Sequence, residues 1–523
     1  MPKAPPQSDG ETHQFKGLKA ILWPVHNHEL KKLLPLLIIF FLISFDYNVL
    51  RTMKDALVVT AKSSGAEVIP FIKVWVMFPG AILMTWVFTR LSNRFSRETV
   101  IYILLGLFLG YFFIFTFFVY PYRDSLHANG FADYLQTVLP SGFKGLIAMV
   151  RYWSFTSFYA MSELWSNIIF FLLFWGFANQ VTRVGEAKRF YGLFGIGANL
   201  SGVAAGAASI YFCGQEFNPN LPFGNDAWEQ SMIILISLIL VAGLIVMALF
   251  RWMNVKVLTD PLYYDAKEAC DDGKLKGKMS MRKNFSYLFK SDYLISLAII
   301  AIAYNLVINL VEVVWKHQVK ELYPHPQDYN LYMNQITTIT GIIATFTSAF
   351  VAGNSIRKYG WTFTALLTPM ILLITSVGFF SFFFFKVELA SFSLAIFGAS
   401  PLAMAVFFGS LQNIMSRAAK YTVFDSTQQM AFVPLDTESK TKGKAAIDGI
   451  CSRLGKSSGS VIHQTLLLTF TTITASAPYV AAFLFGSIIV WTSATYWLGK
   501  RFNLLTQNAE KTPSLPIGLD QAI

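Results

Sequence analysis

The chain has 523 residues, 54% of them hydrophobic and only 14% charged, with a formal net charge of +12. A soluble domain carries ~25% charge, so a single water-facing core is excluded, and uncharged runs of membrane-crossing length recur through most of the chain. The positive excess suits loops facing acidic lipid, or an anionic cargo; no basic-aromatic surface points to nucleic acid, and Cys213, Cys270 and Cys451 form no CxxC pair or disulfide framework.

Residues 1–32 form a polar N-terminal segment without the apolar core and small-residue cleavage site of a signal peptide. The first helix is therefore expected to act as an uncleaved insertion signal. Residues 15–34 mix Lys16, Lys19, Lys31 and Lys32 with Leu18, Ile21, Leu22 and Trp23, the pattern of a helix lying in the cytoplasmic interface. Six spans at 33–57, 68–91, 99–120, 152–181, 190–212 and 232–252 make an N-terminal bundle over 33–252. A charged cytoplasmic loop follows at 253–290. Six more at 293–314, 331–352, 361–385, 391–416, 445–470 and 478–498 make a C-terminal bundle over 291–501, and 502–523 is a cytoplasmic tail. Each span is long enough for the ~20 helical residues that cross a bilayer.

Loop charge sets the orientation. Arg90, Arg94 and Arg97 follow the second span, Arg183, Lys188 and Arg189 the fourth, and Arg357 and Lys358 the eighth. Lys420, Lys440, Lys442 and Lys444 follow the tenth, and Lys500 and Arg501 the twelfth. The alternate loops are poorer in positive charge, and 214–229 has no Lys or Arg. The positive-inside rule then puts both termini in the cytoplasm. Gly202–Gly206 in span five and Gly455–Gly459 in span eleven each make one GxxxG spacing, which permits close helix contact, although Gly106 and Gly110 repeat it elsewhere. The expected fold is an all-α polytopic membrane protein of twelve transmembrane helices in two six-helix halves, major-facilitator-like.

Ionisable side chains inside spans cost at least ~2.5–3.5 kcal/mol each and usually face a water-filled path or a partner. Span one holds Arg51, Lys54 and Asp55, in which Arg51 and Asp55 are spaced to pair. Span four holds Glu163, span seven Glu312 with Lys316 four residues on, and span eleven Arg453 and Lys456. Other readings compete: an exposed helix end for the span-one cluster, a surface pair for Glu312 and Lys316, and a buried Glu–Lys gate between the halves for Glu163 and Lys456. The stretch from Gly449 to Ser457 ends like a Walker A loop, but its spacing is one residue too long and it lies inside a span with no strand before it. Its Lys456 and Arg453 still suit phosphate, as a point charge and a bidentate fork.

Three blocks carry a family likeness: Leu50-Arg-Thr-Met-Lys-Asp-Ala-Leu-Val-Val-Thr60, Gly65-Ala-Glu-Val-Ile-Pro-Phe-Ile-Lys73, and Lys442-Gly-Lys-Ala-Ala-Ile-Asp448 through Arg453-Leu-Gly-Lys-Ser457. The chain resembles, from about Trp23 to Arg501, the nucleotide transporter family, the ATP/ADP translocases of plastids and of obligate intracellular bacteria such as chlamydiae and rickettsiae. The resemblance implies nucleotide exchange or import, with Lys54, Glu163, Glu312 and Lys456 important for transport. Exchangers specialised for ATP and ADP commonly read Arg-Asp-Thr-Lys-Asp at the end of helix one; here the residues are Arg51-Thr52-Met53-Lys54-Asp55, which leaves ATP-for-ADP selectivity open.

The resulting expectation is an alternating-access nucleotide transporter in a bacterial inner membrane, or in a plastid envelope. Absence of a recognisable transit peptide favours the bacterium. Arg51, Lys54, Arg453 and Lys456 would bind phosphates. Glu163, Glu312 and Asp55 would gate or couple, and Tyr47, Tyr152 and Trp165 would stack the base. The partners are nucleotides and membrane lipid, with no nucleic acid, cofactor, metal or obligate protein partner implied. Proton-coupled import of nucleoside triphosphates is the first rival. An intramembrane enzyme is a second, against which stand the absence of HExxH and seven dispersed histidines. A carrier of another organic anion is a third.

Overall fold

In the computed structural model the described residues are 25–182, 184–260, 263, 291–350, 352–435, 443, 447 and 451–511. The first half of the interfacial helix expected over 15–34, all of 264–290, the 442–448 motif apart from two residues, and the tail beyond 511 lie outside them.

The long apolar runs become helices. The N-terminal series is α1 Leu30–Thr60, α2 Val68–Arg94, α3 Arg97–Val119, α4 Trp153–Val181, α5 Val184–Cys213 and α6 Ala227–Lys256. The C-terminal series is α7 Asp292–Leu322, α8 Pro326–Phe350, α9 Lys358–Phe384, the short α10 Ala390–Phe397, α11 Pro401–Ala431, α12 Ser452–Phe470 and α13 Ile473–Lys511. Starts are set by local chemistry. The Ser96 hydroxyl accepts from Thr99 N at 3.3 Å before α3, the Asp226 carboxylate from Glu229 N at 2.7 Å before α6, and the Ser400 hydroxyl from Ala403 N at 3.2 Å before α11, where Pro401 takes the first position.

Nine described helices are long and apolar enough to cross a membrane, ten if α10 and α11, bent by 70°, make one span. The other two of the twelve expected spans, 331–352 and 445–470, fall on α8 and α12, which are helical but too polar for that standard. The chain is thus an all-helical multi-span membrane protein, while apolarity alone leaves the number twelve unestablished. The polarity has a location. On α8, Asn330 and Asn334 are fully buried, and Thr337, Thr338 and Thr340 bond back to carbonyls four residues earlier. A helix spends polar residues in this way on protein contacts rather than on lipid.

The ends of α1 and α7 lie together, since Lys320 donates to Ser64 O, so their starts share the opposite side. That side, the terminal face, also holds the start of α5, because Lys32 bonds Glu186 at 2.6 Å. The other side, the far face, carries the connections 61–67, 120–152 and 214–226. The two helical series meet through α5 on α8, α1 on α7 and α8, and α2 on α12. Glycines set this approach: a Cβ on Gly206 would run into Thr338, and one on Gly341 would sit 2.8 Å from Asn199 O. Near the far face Gln327 donates to Cys213 O at 2.6 Å and to Gln215 O at 3.0 Å, while Asn330 donates to Cys213 Sγ at 3.2 Å.

Gly206→Leu should therefore overpack the α5–α8 seam at a cost of about 1–3 kcal/mol. The expected outcome is faster labelling of Cys213, a buried thiol in the wild type, by a small maleimide in membranes. Unchanged labelling would show that the seam does not keep the far face shut.

Candidate functional site

Five ion pairs join six side chains into one line between the halves. Glu163 Oε1 on α4 lies 3.0 Å from Lys54 Nζ on α1, and Lys54 donates to Asp55 Oδ1 at 2.9 Å. Asp55 Oδ2 accepts from Lys316 Nζ on α7 at 2.8 Å, and Lys316 donates to Glu312 Oε1 at 2.8 Å. Glu312 Oε2 then accepts from Lys73 Nζ on α2 at 3.2 Å. Asp55–Lys316 and Glu312–Lys73 cross from one half to the other. Three cations and three carboxylates balance.

Helix geometry explains the order. Lys54 and Asp55 are sequence neighbours, about 100° apart around α1 at 3.6 residues per turn, so one turns to α4 while the other meets α7. Glu312 and Lys316 are four apart and share a face. Lys73 opens a π-helical segment, Lys73–Met77, within α2; such segments often occur at functional sites. Its ammonium also donates to Asn309 Oδ1 at 2.9 Å. Lys54 Nζ lies 3.8 Å from the centre of the buried Tyr159 ring, a cation–π contact. Thr52 Oγ1 and Asn334 Oδ1, 3.1 Å apart, add a further tie between halves.

Burial grades along the line. Lys54, Asp55 and Lys316 are sealed at 2–3% side-chain exposure, whereas Lys73, Glu163 and Glu312 keep 17–28%. Lys456 lies within electrostatic reach of Lys420 in its own half and of Glu163, Lys73 and Arg51 in the other. Arg51 feels Glu312, Glu163 and Asp55 but has no ion-pair partner among the described residues. The expected Arg51–Asp55 pair does not form, because Lys54 and Lys316 occupy Asp55. Arg453, one turn before Lys456 on α12, is exposed.

Tyr47 lies beside Glu163, Arg51 and Lys54. The other two aromatic candidates lie elsewhere. Trp165 is fully buried, its ring edge-on to Phe108 and its Nε1 donating to Ile43 O at 3.2 Å, so neither face can take a base. Tyr152 lines a far-face cavity of about 980 Å³ with Lys62, Arg123 and His127, and its hydroxyl donates to Lys62 O at 2.5 Å. Sequence reasoning missed Lys73, although it is the one charge between residues 68 and 89. It also read the buried Lys316 only as a neighbour of Glu312. Among the described residues no three His, Cys, Asp or Glu side chains converge as metal ligands.

Two packed sets of helices meet across a line of buried charge, and the relatives of this chain make that arrangement a membrane transporter, not an enzyme. A family model described as TLC ATP/ADP transporter matches residues 8–502, and the chain belongs to that family. It is 44% identical over 501 residues to the ADP,ATP carrier protein 1 of Chlamydia muridarum, covering 96% of this chain and 94% of that one. It is 42% identical to the chloroplastic ADP,ATP carrier protein 2 of Arabidopsis thaliana, covering 92% and 76%. In fold it is similar to a bacterial homologue of the iron transporter ferroportin in an inward-facing state, with TM-score 0.56 at 13% identity over 90% of this chain and 99% of that one. It is also similar to the xylose transporter XylE of E. coli in an inward-open conformation, with TM-score 0.51 at 11% identity over 90% and 95%.

Buried charges stand only as a set. Asp55→Asn or Lys316→Met alone should each cost about 3–5 kcal/mol by leaving the buried line one charge out of balance. The double variant should cost clearly less than the sum, read from thermal unfolding in detergent. Strictly additive losses would show that the pair is not coupled.

Proposed function

We propose that this protein exchanges ATP and ADP across a bacterial inner membrane by alternating access between two six-helix halves. The terminal face is the cytoplasmic one, as the loop arginines and lysines indicate. The observation that carries the reading is the ion chain from Glu163 to Lys73, which ties the halves together through charges that a polyphosphate can replace.

Phosphate oxygens entering the cleft meet Arg51 and Lys456 first, with Arg453 at its mouth. They then compete with Glu163 and Asp55 for Lys54. Carboxylates repel phosphates, so Glu163, Glu312 and Asp55 act as the cargo's substitutes: they hold the cations when the cleft is empty and yield them when it is filled. A ligand shifts a conformational equilibrium only by its differential affinity for the two states. Trading carboxylate for phosphate at the lysines provides that difference. An empty carrier stays locked, and this makes the cycle an exchange. Tyr47, beside Arg51, is the aromatic placed to meet the base.

Purified protein in liposomes should take up labelled ATP when ADP or ATP is inside, and far more slowly when nothing is. Equal uptake into empty vesicles would contradict exchange. Lys456→Gln should reduce uptake sharply, through a loss of about 2–5 kcal/mol at a phosphate contact, while the protein stays folded. Wild-type uptake in that folded variant would remove Lys456 from the phosphate site.

A further inference from the structure

An apolar groove of about 560 Å³ runs along the seam of α7 and α13, away from the ion chain. Its walls are Ile299, Ile302 and Leu306 of α7 and Phe483, Gly486 and Val490 of α13. Phe483 and Val490 are exposed, so in a membrane the groove opens to lipid. Its volume falls within the ~300–1,000 Å³ of small-ligand sites. The hydroxyl of Ser487 is turned away from the groove and donates to Phe483 O at 2.6 Å, within the same helix. Gly486 deepens the groove. A Cβ there would meet nothing within 4 Å, whereas one on Gly455 or Gly459 of α12 would collide with α7. A glycine inside a helix is destabilising relative to alanine, and no protein atom claims the notch this one leaves.

The groove has a definite depth. Thr474 Oγ1 lies 3.5 Å from His317 Nε2, which sets the start of α13 beside the far-face end of α7, so α13 runs back towards the terminal face. Ile299 and Leu306 lie about 10 and 21 Å from the start of α7 at 1.5 Å per residue. The hydrocarbon of one leaflet is ~15 Å thick, so the groove occupies the terminal-face leaflet and reaches the midplane. Nearer the terminal face, the same side of α13 becomes aromatic and cationic. Phe483, Val490, Trp497 and Arg501 share that side, at about 100° per residue. Arg501 Cζ lies 5.4 Å from the centre of the Trp497 ring, and Lys500 Nζ 4.6 Å from that of the Tyr496 ring. The guanidinium thus leans back to the level of Trp497, about 21 Å along the axis from Phe483. Half a bilayer with its headgroups measures ~20–22 Å. Asp292, at the start of α7, is the one acid of these two helices near that level among the described residues, against two cations.

We propose that this groove is a glycerophospholipid site. One acyl chain lies between α7 and α13 and fills the notch at Gly486, while the headgroup phosphate sits on Arg501 and Lys500. The molecule that fits is amphipathic, with chain end and phosphate one leaflet apart. Trp497 and Tyr496 stand where such rings meet headgroups, and an arginine grips phosphate oxygens through two N–H groups at once. The site bears on the helix that supplies both bonds across the seam, Lys316 to Asp55 and Glu312 to Lys73, so a bound lipid braces α7 from outside.

The test uses the full-length protein in mild detergent, stripped of lipid and titrated with phosphatidylglycerol. Native mass spectrometry counts bound lipids and copies of the chain. The wild type should bind one lipid per chain before any others. Gly486→Phe, which fills the notch, should weaken that first binding at least tenfold, and Arg501→Gln combined with Lys500→Gln at least threefold. The proposal is overturned if the wild type shows no distinct first site, or if either variant binds as tightly as the wild type. It is also overturned if the wild type is a dimer that Gly486→Phe makes monomeric, since a second copy then fills the groove. Should a variant fail to fold, phosphatidylglycerol with a photoreactive group at the end of an acyl chain decides on the wild type in liposomes. Its adducts must concentrate within 299–306 and 482–490, and labelling spread evenly over the other spans overturns the proposal.

Discussion

Charges taken out of water must find one another, and in this protein the partners stand on opposite halves. Lys54, Asp55 and Lys316 are sealed from solvent, and none of the three is tolerable alone in a medium where an unpaired ion costs several kcal/mol. Two of the five bonds in the line cross the seam. Closure of the far face and neutralisation of the charges are therefore the same event. Opening the seam requires something else to neutralise the cations, and a nucleotide's phosphates can do so.

The rest of the architecture serves that event. Gly206 and Gly341 let α5 and α8 approach closely beside the line, and the polar face of α8, with Asn330 and Asn334 buried, packs on the opposite half rather than on lipid. Grading of exposure matters too. Lys54, Asp55 and Lys316 make a sealed centre, while Lys73, Glu163 and Glu312 at its ends stay partly exposed; on the proposed function, cargo meets the ends first. Packed seams of this kind shift between discrete arrangements rather than deforming smoothly, which is what alternating access demands.

Much of this is legible in the residues alone, for a physical reason. Lys54, Asp55, Glu163, Glu312 and Lys456 interrupt apolar runs, and the cost of burying charge marks them without any structure. Spacing rules report only neighbours on one helix, however. They show that Glu312 meets Lys316, and mislead for Arg51 and Asp55, because Lys316 arrives from another helix altogether. Lys73 escapes notice because it sits six residues into its span, where a charge reads as part of the helix end, and its partner Glu312 comes from the other half. The aromatics fail differently. Trp165 and Tyr152 are no less aromatic than Tyr47, and only packing separates a core ring or a far-face ring from one beside the cations. A polar helix such as α8 reads as a weak span until its neighbours are known.

The central claim is that the ion chain holds the far face shut until nucleotide phosphates replace its carboxylates. Pulsed electron resonance between spin labels at Glu216 and Asp328, exposed positions on the far-face ends of the two halves, tests it most directly. The protein should be reconstituted in lipid, with its native cysteines replaced. Without nucleotide a single short distance is expected, and saturating ADP should populate a second, longer one. Glu312→Gln, which weakens the chain, should show part of that longer population with no nucleotide present. One unchanged short distance under all three conditions would contradict the account.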